Sequence, residues 1–454
     1  LAMPIPLPAH NSAFGDRYQD GARPEVRFYF DIVCPYAYLA STQLPALAER
    51  QMARIDYRPI LLGGVLKTLA SEPAAGPLAK QAMTRTDLGR WAEHLGVPLV
   101  FPAEHPRRTV EAMRLLTWAP NLSVPTLMVA LYRAYWVEGR DVADIEVLLD
   151  IAESVGLSRK DAQQGLLSAP VSLALRRHTD EAVSDGVFGV PTFVVEGESG
   201  PRLFFGQDRM HFVEEALRSH PLSRTESSGR SPRPQPLILI GGQCAQVANA
   251  ARRVTFVYDF SSPFAYLAST QIEQMAAGCG AEVEFFPILL GGLFRSIGTP
   301  MVPISTYPEN KRRHSIEDMS RWAHYYGASF HFPSRFPMNT VTALRLSLLA
   351  EDKIASLTHA LFRLYWAEDQ DLGDVQVLER ALVEAGLPTS LLDRVGEPEV
   401  KAKLLANTKQ AEEWGCFGVP SFRVAQHHGQ PELFFGQDRL LFVEKALRRG
   451  TAHP

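Results

Sequence analysis

The string Leu203-Phe-Phe-Gly-Gln-Asp-Arg209 recurs letter for letter as Leu433-Phe-Phe-Gly-Gln-Asp-Arg439. Two further strings recur in the same order: Phe188-Gly-Val-Pro191 with Phe417-Gly-Val-Pro420, and Phe28-Tyr-Phe-Asp-Ile-Val-Cys-Pro35 with Phe256-Val-Tyr-Asp-Phe-Ser-Ser-Pro263. The offset is 228 residues at Phe28 and Phe256, 229 at Pro191 and Pro420, and 230 at Gly206 and Gly436. An offset that drifts so little over a whole half describes two copies of one globular domain, not a solenoid of short modules. The expected organisation is an irregular arm at 1–24, a first copy at 25–220, a linker at 221–250 and a second copy at 251–450.

Each copy reads in the same order. Val26 to Val33 is an aromatic and β-branched strand that stops at Cys34-Pro35, where a helix begins. A second strand, 55–60, follows that helix, and a strand–helix–strand crossover implies parallel pairing. From about Pro77 to Asp185 apolar residues recur at three- and four-residue steps, as in 87–95, 109–118, 126–138 and 145–154. Strands return at 192–195 and 203–205, and a helix from Asp208 closes the unit. The second half repeats this with strands at 254–260 and 282–288, helices between about 310 and 413, strands near 420–424 and 433–435, and a helix from Asp438. The fold class expected is α/β: a thioredoxin-like sheet interrupted by a helical insertion, twice in tandem.

A formal net charge of −4 on 454 residues offers no electrostatic case for nucleic acid or an anionic membrane. No run of eighteen apolar residues is present, and the Pro-rich opening lacks the basic start of a signal peptide. The four cysteines, Cys34, Cys244, Cys279 and Cys416, form no C-x-x-C pair, and the thirteen histidines show no metal spacing. No metal is expected, and a reducing cytoplasm fits this cysteine usage.

Three positions could carry chemistry. Cys34 and its counterpart Ser262 each precede a proline at a strand-to-helix junction. The plain reading is a helix N-cap. The sharper one is an anion site, where a cysteine would be partly ionised at neutral pH and a serine would donate to a foreign thiolate. Pro191 and Pro420 either head strands or form cis Val190–Pro191 and Val419–Pro420 bonds that expose the valine backbone to a peptide-like ligand. Asp208 and Asp438 either cap the last helices or, with Gln207 and Gln437, bind a zwitterionic amino acid. Trp91 and Trp322 read as core, and His427-His428 as surface.

Tyr29-Phe-Asp…Cys-Pro-Tyr-Ala-Tyr-Leu-Ala40, Phe-Gly-Val-Pro and Phe-Phe-Gly-Gln-Asp-Arg together resemble the 2-hydroxychromene-2-carboxylate isomerases. Those are related to kappa-class glutathione transferases and more distantly to DsbA-type oxidoreductases. Asp87-Leu-Gly-Arg-Trp-Ala…Gly96-Val-Pro-Leu-Val-Phe-Pro102 adds to the likeness, which covers nearly all of each half. The resemblance implies bound glutathione and an isomerase acting on a small aromatic, pyruvate-type substrate by reversible thiolate addition. Thiol–disulfide exchange or glutathione transfer at Cys34, or a non-catalytic binding scaffold, are the alternatives. By the same resemblance the glutathione-activating serine is Ser262, the cis-prolines are Pro191 and Pro420 beside Val190 and Val419, and the γ-glutamyl turn is Gln207-Asp208 and Gln437-Asp438. A glutathione-contacting lysine falls on Lys67, replaced in the second half by Arg295. The sequence departs from the pattern at Cys34, where the relatives carry serine. It also lacks the second cysteine of a DsbA-type Cys-Pro-x-Cys, so disulfide exchange with a thiol in cis is not expected. The two halves are expected to pack as an internal pseudo-dimer, because a tether makes association intramolecular.

Overall fold

The computed structural model describes residues 23–71, 76–220, 252–425 and 430–449. The arm before residue 23, the linker with Cys244, and His427-His428 lie outside the described residues. The chain forms two compact units that correspond in the main to the two sequence halves.

In the first half, β1 (Glu25–Phe30) pairs in parallel with β2 (Arg54–Pro59) and antiparallel with β3 (Thr192–Val195), which pairs with β4 (Arg202–Phe205). The sheet order is β2-β1-β3-β4. The second half builds β6-β5-β7-β8 from β5 (Arg252–Tyr258), β6 (Ala281–Pro287), β7 (Ser421–Val424) and β8 (Glu432–Phe435). The helices of the first half are α1 (Pro35–Gln51), α2 (Leu62–Thr68), α3 (Leu78–Leu95), α4 (Val110–Trp118), α5 (Val124–Trp136), α6 (Ile145–Ser154), α7 (Arg159–Leu167), α8 (Ala169–Ser184) and α9 (Met210–Arg218). Those of the second are α10 (Pro263–Gly278), α11 (Leu290–Ser296), α12 (Glu309–Tyr326), α13 (Val341–Leu349), α14 (Ile354–Trp366), α15 (Val375–Glu384), α16 (Pro398–Glu413) and α17 (Leu440–Arg449). Helices α3 to α8 and α12 to α16 are the insertion between the second and third strands of each sheet.

Strand alternation places Phe28 and Phe30 on one face of β1, where their rings stack 5.1 Å apart and Phe28 meets Phe193 at 5.3 Å. The second core repeats this with Phe256 5.2 Å from Tyr258 and 5.7 Å from Phe422. Trp91 and Trp322 are buried.

Helix α3 starts at Leu78, where the helical pattern was expected to begin. One expectation is revised at an element end. The helix expected from Asp208 begins only at Met210, after a 3-10 turn at Gln207–Arg209, and the second half does the same at Gln437–Arg439. The residues at the N-cap positions of α9 and its preceding turn are Arg209 and Gly206.

Candidate functional site

The candidate site of each half is the turn between the first strand and the first helix. Cys34 and Ser262 hold extended backbone (φ −94° and −102°) at the N-caps of α1 and α10, with Pro35 and Pro263 at the first helical position. Proline suits that place because its missing N–H has no intrahelical partner. Ser262 Oγ accepts from Ala265 N at 3.2 Å and donates to Val419 O at 3.1 Å. Cys34 Sγ lies 3.2 Å from Val190 O and makes no capping bond of its own. The structure thus brings Cys34 to Val190, and Ser262 to Val419, from 156 and 157 residues away in sequence. Both Val190–Pro191 and Val419–Pro420 are cis.

The loop after each valine is braced by its neighbours. Thr192 Oγ1 donates to Gly189 O and Ser421 Oγ to Gly418 O, both at 2.8 Å. Pro191 O accepts from Gly206 N and Pro420 O from Gly436 N, both at 3.0 Å, joining the Val-Pro loop to the Gly-Gln-Asp-Arg turn. Gly206 has φ 108°, and a Cβ there would come within 2.6 Å of Asp208 Oδ1, so the turn admits glycine alone. Gln207 and Gln437 are buried, and neither side-chain Nε2 finds a partner among the described residues. Asp208 and Asp438 are paired to the adjacent Arg209 and Arg439 at 3.0 Å. Lys67 and Arg295 are exposed near the C-terminal ends of α2 and α11.

Beneath each turn lies a group that the sequence reading passed over. Asp31 and Asp259, 2% and 1% exposed, are hubs of identical design. Asp31 Oδ1 accepts from Val33 N (3.1 Å) and Thr109 Oγ1 (2.7 Å), and Oδ2 from Leu62 N (2.9 Å). Asp259 Oδ1 accepts from Ser261 N (2.9 Å) and Thr340 Oγ1 (2.7 Å), and Oδ2 from Leu290 N (2.8 Å). One carboxylate therefore ties the Cys34 or Ser262 turn to the starts of α2 and α4, or α11 and α13. Trp136 Nε1 donates to Ile32 O at 2.9 Å and Trp366 Nε1 to Phe260 O at 2.8 Å, fixing the same turn from α5 and α14. Burial pushes both carboxyl groups upward in pKa and outweighs the hydrogen bonds that pull them down. The available signal was the aspartate that follows the first strand in both copies of the repeated string.

The electrostatics correct one expectation. A thiol at a helix N-terminus was expected to be partly ionised, yet burial pushes Cys34 up to about 12. The amides of Ala37 and Tyr36 pull it down by less, and the Asp31 charge adds to the rise. Desolvation of the thiolate outweighs the helix end because Cys34 is only 8% exposed. The first-half turn also packs Tyr132, whose hydroxyl donates to Asp31 O at 3.3 Å. Cys416 is likewise buried and pushed up to about 11.

Among the described residues no group of His, Cys, Asp and Glu could hold a metal ion, and no helix is long and apolar enough to cross a membrane.

The profile of the DSBA-like thioredoxin domain matches residues 25–218 and again 253–448. The chain is 31% identical over 198 residues to a 2-hydroxychromene-2-carboxylate isomerase of Sphingobium xenophagum, covering 42% of this chain and 97% of that protein. It is 28% identical over 205 residues to glutathione S-transferase kappa 1 of Homo sapiens, covering 42% of this chain and 90% of that protein. A solved 2-hydroxychromene-2-carboxylate isomerase superposes with a TM-score of 0.38 at 28% identity, over 42% of this chain and 94% of its own. The chain therefore belongs to the DSBA-like thioredoxin domain family, in its branch of 2-hydroxychromene-2-carboxylate isomerases and kappa-class glutathione transferases, as a tandem of two copies.

Proposed function

We propose that this protein is a glutathione-dependent isomerase of the 2-hydroxychromene-2-carboxylate type, with Ser262 of the second half as the thiol-activating group. The observation that carries this reading is the Ser262 hydroxyl at the N-terminus of α10, between Ala265 N and Val419 O. On glutathione binding the hydroxyl turns its one proton from Val419 O to the incoming thiolate without ionising, and the helix end adds a field favourable to the anion. Two features of the donor set fit glutathione: the unpartnered buried amide of Gln437, which suits a carboxylate or carbonyl acceptor, and the valine carbonyl beside the serine. Ser262, Val419, Pro420, Gln437 and Asp438 would hold it in the second half, with Arg295 at the rim; Val190, Pro191, Gln207, Asp208 and Lys67 are the equivalents in the first. Glutathione, when bound, supplies the nucleophilic thiol for reversible addition to a conjugated carbon of an aromatic, pyruvate-type substrate. Ser262 holds the proton-free sulfur, and the Asp259 hub keeps the serine turn and α11 in fixed register.

Cys34 carries the competing reading of thiol–disulfide chemistry, and its burial and raised pKa weigh against it. The reading is tested by following 2-hydroxychromene-2-carboxylate isomerisation with and without glutathione. Turnover should require glutathione, fall at least tenfold in Ser262→Ala and survive in Cys34→Ser, since one hydrogen bond to a charged group is worth about 1.5–3 kcal/mol. Glutathione-independent turnover, or full activity in Ser262→Ala, would overturn it.

A further inference from the structure

Arg27 and Tyr29 alternate with Phe28 and Phe30, so they point to the opposite face of β1 from the aromatic core. There, with Arg58 of β2 and His178, Glu181 and Asp185 of α8, they line a cleft of about 240 Å³ within the first half. The second half shows what the same backbone does without it. Matching strand registers place Thr255 and Val257 at the positions of Arg27 and Tyr29, and Phe286 at that of Arg58. Thr179 and Thr408 accept from Leu61 N and Leu289 N in the same way, which sets α8 against α16 and places Asn407, Gln410 and Trp414 opposite His178, Glu181 and Asp185. In the second half the Phe286 and Trp414 rings pack 4.9 Å apart, and the Arg423 guanidinium lies over Trp414 at 4.8 Å. Aromatic packing and a single stacked guanidinium take the place of the charged cluster. The fold does not need this cluster of half-buried charges, which lose solvation.

The charges divide into satisfied and unsatisfied. Arg27 pairs with Asp185 at 2.7 Å and with Glu196, and Tyr29 OH donates to Asp185 Oδ2 at 2.7 Å. Arg58 uses only its Nε, on Asp56 at 2.6 Å, and its two terminal nitrogens hold no described residue. His178 Nδ1 is buried with no partner among the described residues. Glu181 has only Arg177 at 3.5 Å. Two free donor groups and a carboxylate held only by one long, exposed ion pair thus share one small space.

We propose that this cleft binds a small zwitterion of the α-amino-acid class, separately from the Ser262 and Cys34 sites. The Arg58 fork takes the carboxylate, with the His178 Nδ1–H as a further donor. Glu181 takes the ammonium. Burial and the nearby Arg58 charge keep His178 neutral at physiological pH, so one nitrogen donates while the other accepts.

The test uses the full chain and three matched probes: L-alanine, propionate and ethylammonium. Binding is read by calorimetry and by the His178 ring resonances in NMR. L-Alanine should bind at least tenfold more tightly than propionate, ethylammonium should not bind measurably, and alanine should shift the His178 signals. Arg58→Gln should weaken alanine binding at least tenfold, and alanine should still bind in the presence of saturating glutathione. The paired change Arg58→Phe with Asp185→Trp copies the second half and should abolish binding; Arg58→Gln keeps the test intact if that pair misfolds. The proposal is overturned if alanine and propionate bind equally, if His178 does not respond, if glutathione displaces the alanine, or if Arg58→Gln binds as the wild type does.

Discussion

Cys34 should behave as a chemically quiet thiol, and the claim is quantitative. A thiol pushed up to about 12 leaves only about one molecule in ten thousand as thiolate at pH 8, against about a quarter for an exposed cysteine. Alkylation by iodoacetamide, followed peptide by peptide in mass spectrometry, should therefore run at least a hundredfold more slowly at Cys34 than at a free thiol of small size. Its rate should rise tenfold per pH unit with no plateau up to pH 10. Asp31→Asn removes the one negative charge among the causes, so it should speed the reaction, while burial, the larger cause, keeps Cys34 slower than an exposed thiol. A rate that levels off between pH 7 and 8.5 would refute the reasoning. It would mean that the helix end outweighs desolvation, and it would restore Cys34 as a redox candidate.

Three further outcomes are expected. Thr340→Val removes a charge-assisted hydrogen bond to the buried Asp259 and should lower stability by about 1.5–3 kcal/mol in urea unfolding; a loss below about 0.5 kcal/mol would deny the hub its weight. Because Asp31 and Asp259 hold their protons more tightly folded than unfolded, their contribution is fully present below the unfolded carboxyl pKa near 3.8 and is lost as pH rises through the raised folded values. Urea midpoints across that window should flatten in the double variant Asp31→Asn with Asp259→Asn, and an unchanged pH profile would contradict it. Two copies on one chain are expected to associate as an internal pseudo-dimer, and small-angle scattering from two independent lobes would refute that.

What the sequence determined by itself is what is carried by local strings. The Leu-Phe-Phe-Gly-Gln-Asp-Arg repeat, the Phe-Gly-Val-Pro repeat and the strand–Pro–helix junctions set the duplication, the order of elements along each copy and the place of Cys34 and Ser262. They do so because a turn, a proline and an alternating strand are short-range devices. Tertiary structure decided what depends on groups distant in sequence. Asp31 receives Thr109 from 78 residues away and Asp259 receives Thr340 from 81, so neither hub can be read from its own neighbourhood. The ionisation of Cys34 went the same way: the helix N-terminus is local and favours the thiolate, but burial is made by the whole core and opposes it more strongly. The charged cleft emerged only when α8 met β1 and β2, where the second copy set Phe286 against Trp414 instead. Solvent exclusion is a property of the packed domain, and no window of sequence contains it.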